Sequence, residues 1–271
     1  MTSGKPRSFA LFDLDFTLIG HDTLLLFCNY ILKKHPWRIL YLAFFAPVAM
    51  LAAPGWISSG TLKRFFLSFL WRMPREKLVF YSRDFVQRSV LPRMYPELLS
   101  VLREHQEAGR VVVLNTAAPD IYAPYIADAL KVEHIYSTRI LLKDRMPLLP
   151  VMEGKNNKNL EKIHRMKEIL PEAVSAALQE NLDWKKPEYP ASAVLTGSFS
   201  YSDSPADLPL LRLTEFAAVV NPESSSYIEE ASKKGWDFLY PARDFRSRAG
   251  KVWLMLRQCL GLYPMEPGDQ K

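Results

Sequence analysis

Phe9-Ala10-Leu11-Phe12-Asp13-Leu14-Asp15-Phe16-Thr17-Leu18, FALFDLDFTL, places two carboxylates directly after a short apolar run. The run Phe9 to Phe12 has the composition of a buried strand. A carboxylate at the end of such a strand lies beside a dry core, where it must be protonated, hydrogen-bonded or matched by a cation. Two explanations meet that demand. In one, Asp13 or Asp15 caps the structure that follows; in the other, the pair carries metal-assisted nucleophilic chemistry.

Working outward, apolar stretches recur at Val111 to Leu114, Val194 to Gly197 and Ala217 to Val220. Helical periodicity marks Pro96 to Glu107, Pro119 to Leu130, Leu160 to Leu170, Leu208 to Thr214 and Ser225 to Lys234. Short strands alternating with helices predict an α/β fold, a parallel sheet covered on both faces. From Thr23 to about Pro92 the pattern is helical with no strand, which predicts a helical insertion after the first strand. Pro171 to Pro190 reads as a helix and a polar loop. The expected division is an α/β catalytic core over residues 1–20 and 93–242, a helical cap over 21–92, and a basic amphipathic tail over 243–271.

The chain has 271 residues, 48% apolar and 24% charged, the composition of a folded protein and not of a disordered one. Its net charge of +6 favours anionic partners such as phosphate esters or acidic membrane surfaces. Cys28 and Cys259 have no CxxC or Cys/His spacing, which argues against a disulfide framework and a structural zinc site and for a reducing, cytoplasmic setting. His21, His35, His105, His134 and His164 show no metal-ligand spacing either. The opening MTSGKPRS lacks the features of a secretory signal. Basic residues are dispersed and no nucleic-acid motif is present, so no nucleic-acid partner is expected.

Ligands of open parallel sheets bind beyond the carboxyl ends of the strands. Asp13 and Asp15 follow the first strand, Asn115 and Thr116 the second, and Tyr201, Ser202, Asp203 and Asp207 the third. Lys162 approaches from a helix. Lys155, Lys158 and Lys167 are its rivals, but Lys162 is followed by Ile163 and Met166 at the spacing of a helix docked on a sheet. For Asp207, capping the helix at Leu208 is the competing role. Carboxylates, a hydroxyl and a lysine suit phosphoryl transfer, in which a carboxylate attacks phosphorus, Mg²⁺ takes carboxylate and water oxygens, and a lysine holds phosphate oxygens.

In this order, DLDFT, Thr116, Lys162 and SDSPAD resemble the DxDxT, Ser/Thr, lysine and acidic motifs of the haloacid dehalogenase superfamily of aspartate-nucleophile phosphatases. The resemblance runs from about Phe9 to Gly235. It is nearest the phosphoserine phosphatase-like branch, subfamily IB, whose helical cap lies between the first two motifs and which includes phosphatidylglycerophosphatase C-type proteins. It implies a Rossmann-like core and a Mg²⁺-dependent phosphomonoesterase. Asp13 would be the nucleophile that becomes an aspartyl-phosphate, and a backbone carbonyl at or near Leu14 would reach toward the cap. Asp15 would be the general acid and base, Thr116 would hold a phosphoryl oxygen, and Lys162 would neutralise charge. The metal set would be Asp13, Asp15, Asp203 and Asp207. Phe16 departs from the glycine common in the motif, and Ser202 from another frequent glycine. A catalytically idle binding protein is the rival reading, and transfer to an alcohol instead of water is a variant of the first. No motif residue is missing.

Substrate choice points to the helical insertion. It lacks a glutamate soon after the first motif that would suit phosphoserine; Asp22 is the nearest acid. Leu24 to Phe27, Trp37 to Met50 and Phe65 to Trp71 fit either a greasy leaving group, such as a lipid phosphate, or core packing. A small soluble ester, phosphoserine- or histidinol-phosphate-like, is the alternative. Ile39 to Leu62 carries no charge and is flanked by Lys33, Lys34, Arg38, Lys63 and Arg64, yet Pro47, Pro54 and Gly55 interrupt it. A kinked helical pair against a bilayer and a buried helix pair remain open. Arg243 to Tyr263 mixes basic and apolar residues as interfacial helices do, so peripheral attachment to the cytoplasmic face of anionic membranes is expected.

Overall fold

The computed structural model describes residues 7–52, 54–177, 183–185 and 187–267. Strands β1 (Phe9–Phe12), β2 (Val111–Pro119), β3 (His134–Thr138), β4 (Leu195–Ser202), β5 (Thr214–Val220) and β6 (Asp237–Leu239) form one sheet in the order β3-β2-β1-β4-β5-β6. Every pairing is parallel. The chain winds outward from β1 to β2 and β3, then returns to β4 on the other side of β1. That reversal makes a topological switch point at the carboxyl ends of β1 and β4. Phe12 stands opposite Leu114 and Tyr201, so the residues after it open into that crevice.

All four β1 residues are buried, as expected of a central strand covered on both faces. Phe9 and Leu11 pack with Val113, Ile163, Met166 and Leu210 on one face. Ala10 and Phe12 join the larger cluster on the other, with Phe27, Leu98 and Tyr122.

Between β1 and β2 lie α1 (Thr23–Lys34), α2 (Leu42–Ala52), α3 (Ser59–Phe66), α4 (Arg75–Phe85) and α5 (Pro96–Glu107), and no strand occurs among the described residues there. The Asp22 carboxylate caps α1, accepting from the Leu24 and Leu25 amides at 2.9 and 3.0 Å. Thr23 through Leu32 are all buried. α2, with Pro47 inside it, has no buried residue, whereas Tyr41 just before it is buried and Phe45 packs against the core. No helix among the described residues is long and apolar enough to cross a membrane.

The remaining helices are α6 (Ala123–Leu130), α7 (Leu160–Met166), α8 (Glu172–Ala177), α9 (Leu208–Leu213), α10 (Ser225–Lys234) and α11 (Arg248–Cys259). Several of the boundaries differ from the sequence pattern. β2 and β4 run on through Pro119 and Ser202, so α6 begins at Ala123; α7 ends at Met166, short of Leu170. β3 and β6 were not expected: both lie at sheet edges, short and only partly buried, and neither has a sustained apolar run. Of the loop expected before Pro190, residues 178–182 and 186 lie outside the described residues.

The stretch after residue 243 is tied into the fold. Leu254 and Gln258 of α11 are buried, and Tyr263 bonds His21 Nε2 at 2.9 Å, the Asp244 carboxylate at 2.8 Å and the Asn29 side-chain oxygen at 2.9 Å. Ser89 and Arg93 each donate to the Met265 carbonyl at 2.8 Å.

His105 of α5 is buried against the sheet, its ring 4.7 Å from Phe199 and its Nε2 2.8 Å from the Tyr201 hydroxyl. Burial, reinforced by Arg110, lowers its pKa from 6.5 to about 4. A depressed imidazole stays neutral in the folded chain while the unfolded chain takes up a proton. Stability is therefore full above pH 6.5 and falls as pH drops toward 4. Denaturant titrations across that window should show a slope that shrinks by up to about one proton in His105→Phe; an unchanged slope would contradict the assignment.

Candidate active site

Beyond Phe12 the Asp13 amide bonds the Tyr201 carbonyl at 3.1 Å, carrying the β1–β4 pairing one residue further. The chain then turns sharply. The Leu14 carbonyl accepts from Thr17, Leu18 and Ile19 at 3.2, 2.9 and 3.3 Å, so it is consumed within the turn and does not reach the helical insertion as expected. Phe16 sits in the left-handed region with φ of 57°. That conformation explains why glycine suits the position, since a side chain there costs about 1–2 kcal/mol. Lys251 Nζ of α11 lies 4.0 Å from the Phe16 ring centroid, and the Phe245 ring meets it edge-on.

The turn aims both aspartates into one cavity of about 270 Å³, which Lys162, Asp203 and Asp207 also line. Lys162 Nζ is 2.6 Å from Asp13 Oδ1 and 2.7 Å from Asp207 Oδ2. Its helix is seated by Ile163 and Met166, both fully buried, and its carbonyl accepts from Asn115 Nδ2 at 2.8 Å. Asn157 Nδ2 in turn donates to Asn115 Oδ1 and the Thr116 carbonyl at 2.8 and 2.9 Å. The Asp207 carboxylate also accepts from Ser202 Oγ at 2.7 Å and makes no capping bond to α9, which removes the alternative role for it.

Asp15 both holds the structure that follows it and lines the cavity. Its Oδ1 accepts the Thr23 amide at 2.9 Å and the Thr23 hydroxyl at 2.7 Å, anchoring the start of α1, while the residue faces the cavity. Thr17 ties the first motif to the last: its Oγ1 accepts the Asp203 amide at 3.0 Å. Thr116 is fully buried, its hydroxyl accepting the Ala118 amide at 3.0 Å. Its neighbours Ala117 and Ala118 line the cavity, and Thr116 itself does not.

Burial raises the Asp13 carboxyl to about 6 against the pull of Lys162. Burial, then the charges of Asp22 and Asp13, raises Asp15 to about 8, leaving it protonated at neutral pH. Asp203 is lifted well above the carboxylate range by burial and then by Asp13 and Asp207. Burial opposes the Lys162 ammonium, but Asp13 and Asp207 outweigh it and hold its pKa above the usual lysine range. Mutually repelling buried carboxylates call for a cation. Among the described residues no three His, Cys, Asp or Glu side chains converge as a finished metal cage. Mg²⁺ does not need one, because it keeps several waters and takes one or two carboxylates plus substrate phosphate. Asp13 and Asp203 fit that requirement.

Several contributors carried no sequence signal. Lys63 of α3 enters the cavity wall, donating to the Ala117 carbonyl at 2.5 Å and to Asn156 Oδ1 at 2.6 Å. Thr23 and Asn157 likewise act through contacts that spacing does not reveal. Lys158, a rival for Lys162, also lines the cavity.

Among curated proteins, the chain is 24% identical over 238 residues to a histidinol-phosphatase of Neisseria meningitidis, covering 86% of this chain and 98% of that protein. It is 27% identical over 252 residues to an inhibition of morphological differentiation protein of Streptomyces azureus, covering 88% and 81%. A Bordetella pertussis protein of unknown function superposes with a TM-score of 0.67 at 22% identity, covering 87% of this chain and 99% of that one. A phosphoserine phosphatase carrying a phospho-aspartyl intermediate analogue gives 0.52 at 16% identity, covering 89% and 96%. The model of the haloacid dehalogenase-like hydrolases matches residues 10–212, a span holding Asp13, Lys162, Asp203 and Asp207, and the chain belongs to that family.

Proposed function

We propose that the chain hydrolyses phosphomonoesters through an aspartyl-phosphate on Asp13. The observation that carries this is the Lys162 ammonium joining Asp13 to Asp207 at the switch point, with Asp15 lining the same cavity. An Asp13 oxygen attacks phosphorus and the ester P–O bond breaks, while Asp15 gives its proton to the departing alkoxide. Asp15 then takes a proton from water as that water attacks phosphorus, and the bond between phosphorus and Asp13 breaks to release phosphate. Lys162 balances the charge gathering on Asp13 and the phosphoryl oxygens; Thr116, buried outside the cavity with its hydroxyl on the Ala118 amide, is given no part in the step. Mg²⁺ held by Asp13 and Asp203, with Asp15 and Asp207 beside it, would supply the neutralisation that lets an anionic carboxylate meet an anionic phosphate.

The similar histidinol-phosphatase and phosphoserine phosphatase support a phosphomonoester as substrate. They leave a small soluble ester as the alternative to a lipid phosphate. Surface composition favours the lipid. The helical insertion acts in this reading as a cap, and its outer helix α2 exposes Phe44, Met50 and Leu51, with Trp37, Leu40 and Trp56 exposed nearby. α11 exposes Val252, Trp253 and Leu256 among Arg248, Lys251 and Arg257. Apolar and basic groups together suit peripheral binding to an anionic membrane.

Phosphate release from an aryl phosphate should require Mg²⁺, vanish on chelation, and fall about a thousandfold or more in Asp13→Asn. Parent-level activity in that variant would refute the nucleophile. In Asp15→Asn an activated aryl ester should still phosphorylate the protein, with turnover of the phosphoenzyme slowed about 100-fold or more; failure to trap any phosphoenzyme counts against the two-step scheme. In flotation assays the protein should rise with anionic liposomes and not with neutral ones, and high salt should weaken binding. Indifference to liposome charge would count against the membrane reading.

A further inference from the structure

Asp22, Leu24 and Lys63 each line two cavities. One is the acidic cavity described above. The other is a groove of about 420 Å³, walled by Phe45 of α2, Leu62 and Phe66 of α3, and Met255 and Leu256 of α11. This lies within the ~300–1,000 Å³ range of small-ligand sites. Beyond the shared Asp22 and Lys63, its lining offers little polarity except the Ser59 hydroxyl.

We propose that this groove receives one apolar chain of the substrate, so that the enzyme selects amphiphilic phosphomonoesters whose phosphate sits in the acidic cavity lined by Asp13 and Lys162. The inference rests on the phosphomonoesterase reading above and names the substrate class for that same site. Three observations support this occupant. The shared wall makes the groove a continuation of the reacting cavity, so a leaving group that outgrows the cavity passes Leu24 into it. Lys63 is fixed at the junction by Ala117 and Asn156, which keeps the polar end of the passage polar and the far end apolar. A peptide would bring amides that need partners, and a groove with little more than one hydroxyl to offer cannot satisfy them; an alkyl chain asks for none. The groove also lies between α2 and α11, the helices whose outer faces expose Phe44 and Trp253. A chain leaving a bilayer would enter there without crossing water.

The test is a series of n-alkyl phosphates from ethyl to decyl, each kept below its micelle concentration. The parent enzyme's kcat/KM should climb about two- to fourfold per added methylene until the groove is full. Val252→Glu and Leu256→Glu change exposed positions on α11 that line the groove, and each should cut the decyl-to-ethyl ratio about tenfold or more. The ratio is unaffected by the amount of active enzyme. Decylphosphonate should also compete with an aryl phosphate far better than ethylphosphonate does, and calorimetry reads the same preference without turnover. If ethyl phosphate is hydrolysed but the series is flat, or the ratio survives both variants, the groove proposal is overturned and the phosphomonoesterase reading stands. If no ester releases phosphate, the phosphomonoesterase reading fails; equal binding of the two phosphonates would then overturn the groove as well.

Discussion

With oxygens of Asp13 and Asp207 at 2.6 and 2.7 Å and almost no solvent, the Lys162 ammonium obliges three separate pieces of chain to stay in register. Asp13 comes from the end of β1, Asp207 from the turn after β4, and Lys162 from α7. Removing one member of a buried ion set leaves the others uncompensated, typically at about 3–5 kcal/mol. The scaffold is correspondingly redundant. Ile163 and Met166 lock α7 from below, Asn115 holds its backbone and is itself held by Asn157, and Ser202 fixes the far carboxylate. The parallel sheet is thus the frame that lets one cation serve a carboxylate at the end of β1 and another beyond β4.

The second constraint is the turn from Leu14 to Ile19. It spends the Leu14 carbonyl on three amides and forces Phe16 into the left-handed region. The ring gained there is used, because Lys251 and Phe245 pack on it and bring the C-terminal segment to the rim of the cavity. Asp15 extends the same economy by anchoring Thr23, so the direction in which α1 leaves the sheet depends on a carboxylate that also faces the cavity.

Periodicity revealed β1, α5 and α10 with their observed bounds, because each buries a regular face or a continuous run. β3 and β6 escaped it because edge strands need little apolar sequence: HIYST and DFL are held by pairing to β2 and β5 more than by burial. Four of the site residues could be placed from strand ends, and Lys162 from the apolar spacing behind it. Thr116 occupies the expected strand but directs its hydroxyl to the Ala118 amide, and a side chain's hydrogen-bond partner is not written in its neighbours. Lys63 and Thr23 belong to the site only because the insertion folds back over it, and a long-range contact leaves no local pattern.

Apolar composition had the least certain meaning. Leu24 to Phe27 and Leu42 to Ala52 are both greasy, yet the first is buried in α1 and the second contains no buried residue. The difference lies in what covers them. α1 is sandwiched between the sheet side and α11, whereas α2 packs on α3 and the preceding turn, and no α2 residue is buried by the described residues. A helix kept apolar on a face that folding does not bury contributes little to folding through that face. The apolar groove beside it shares lining residues with the acidic cavity. The two sets of observations converge on Asp22, Leu24 and Lys63, at the start of α1 and on α3, where an apolar groove and the acidic cavity share a wall.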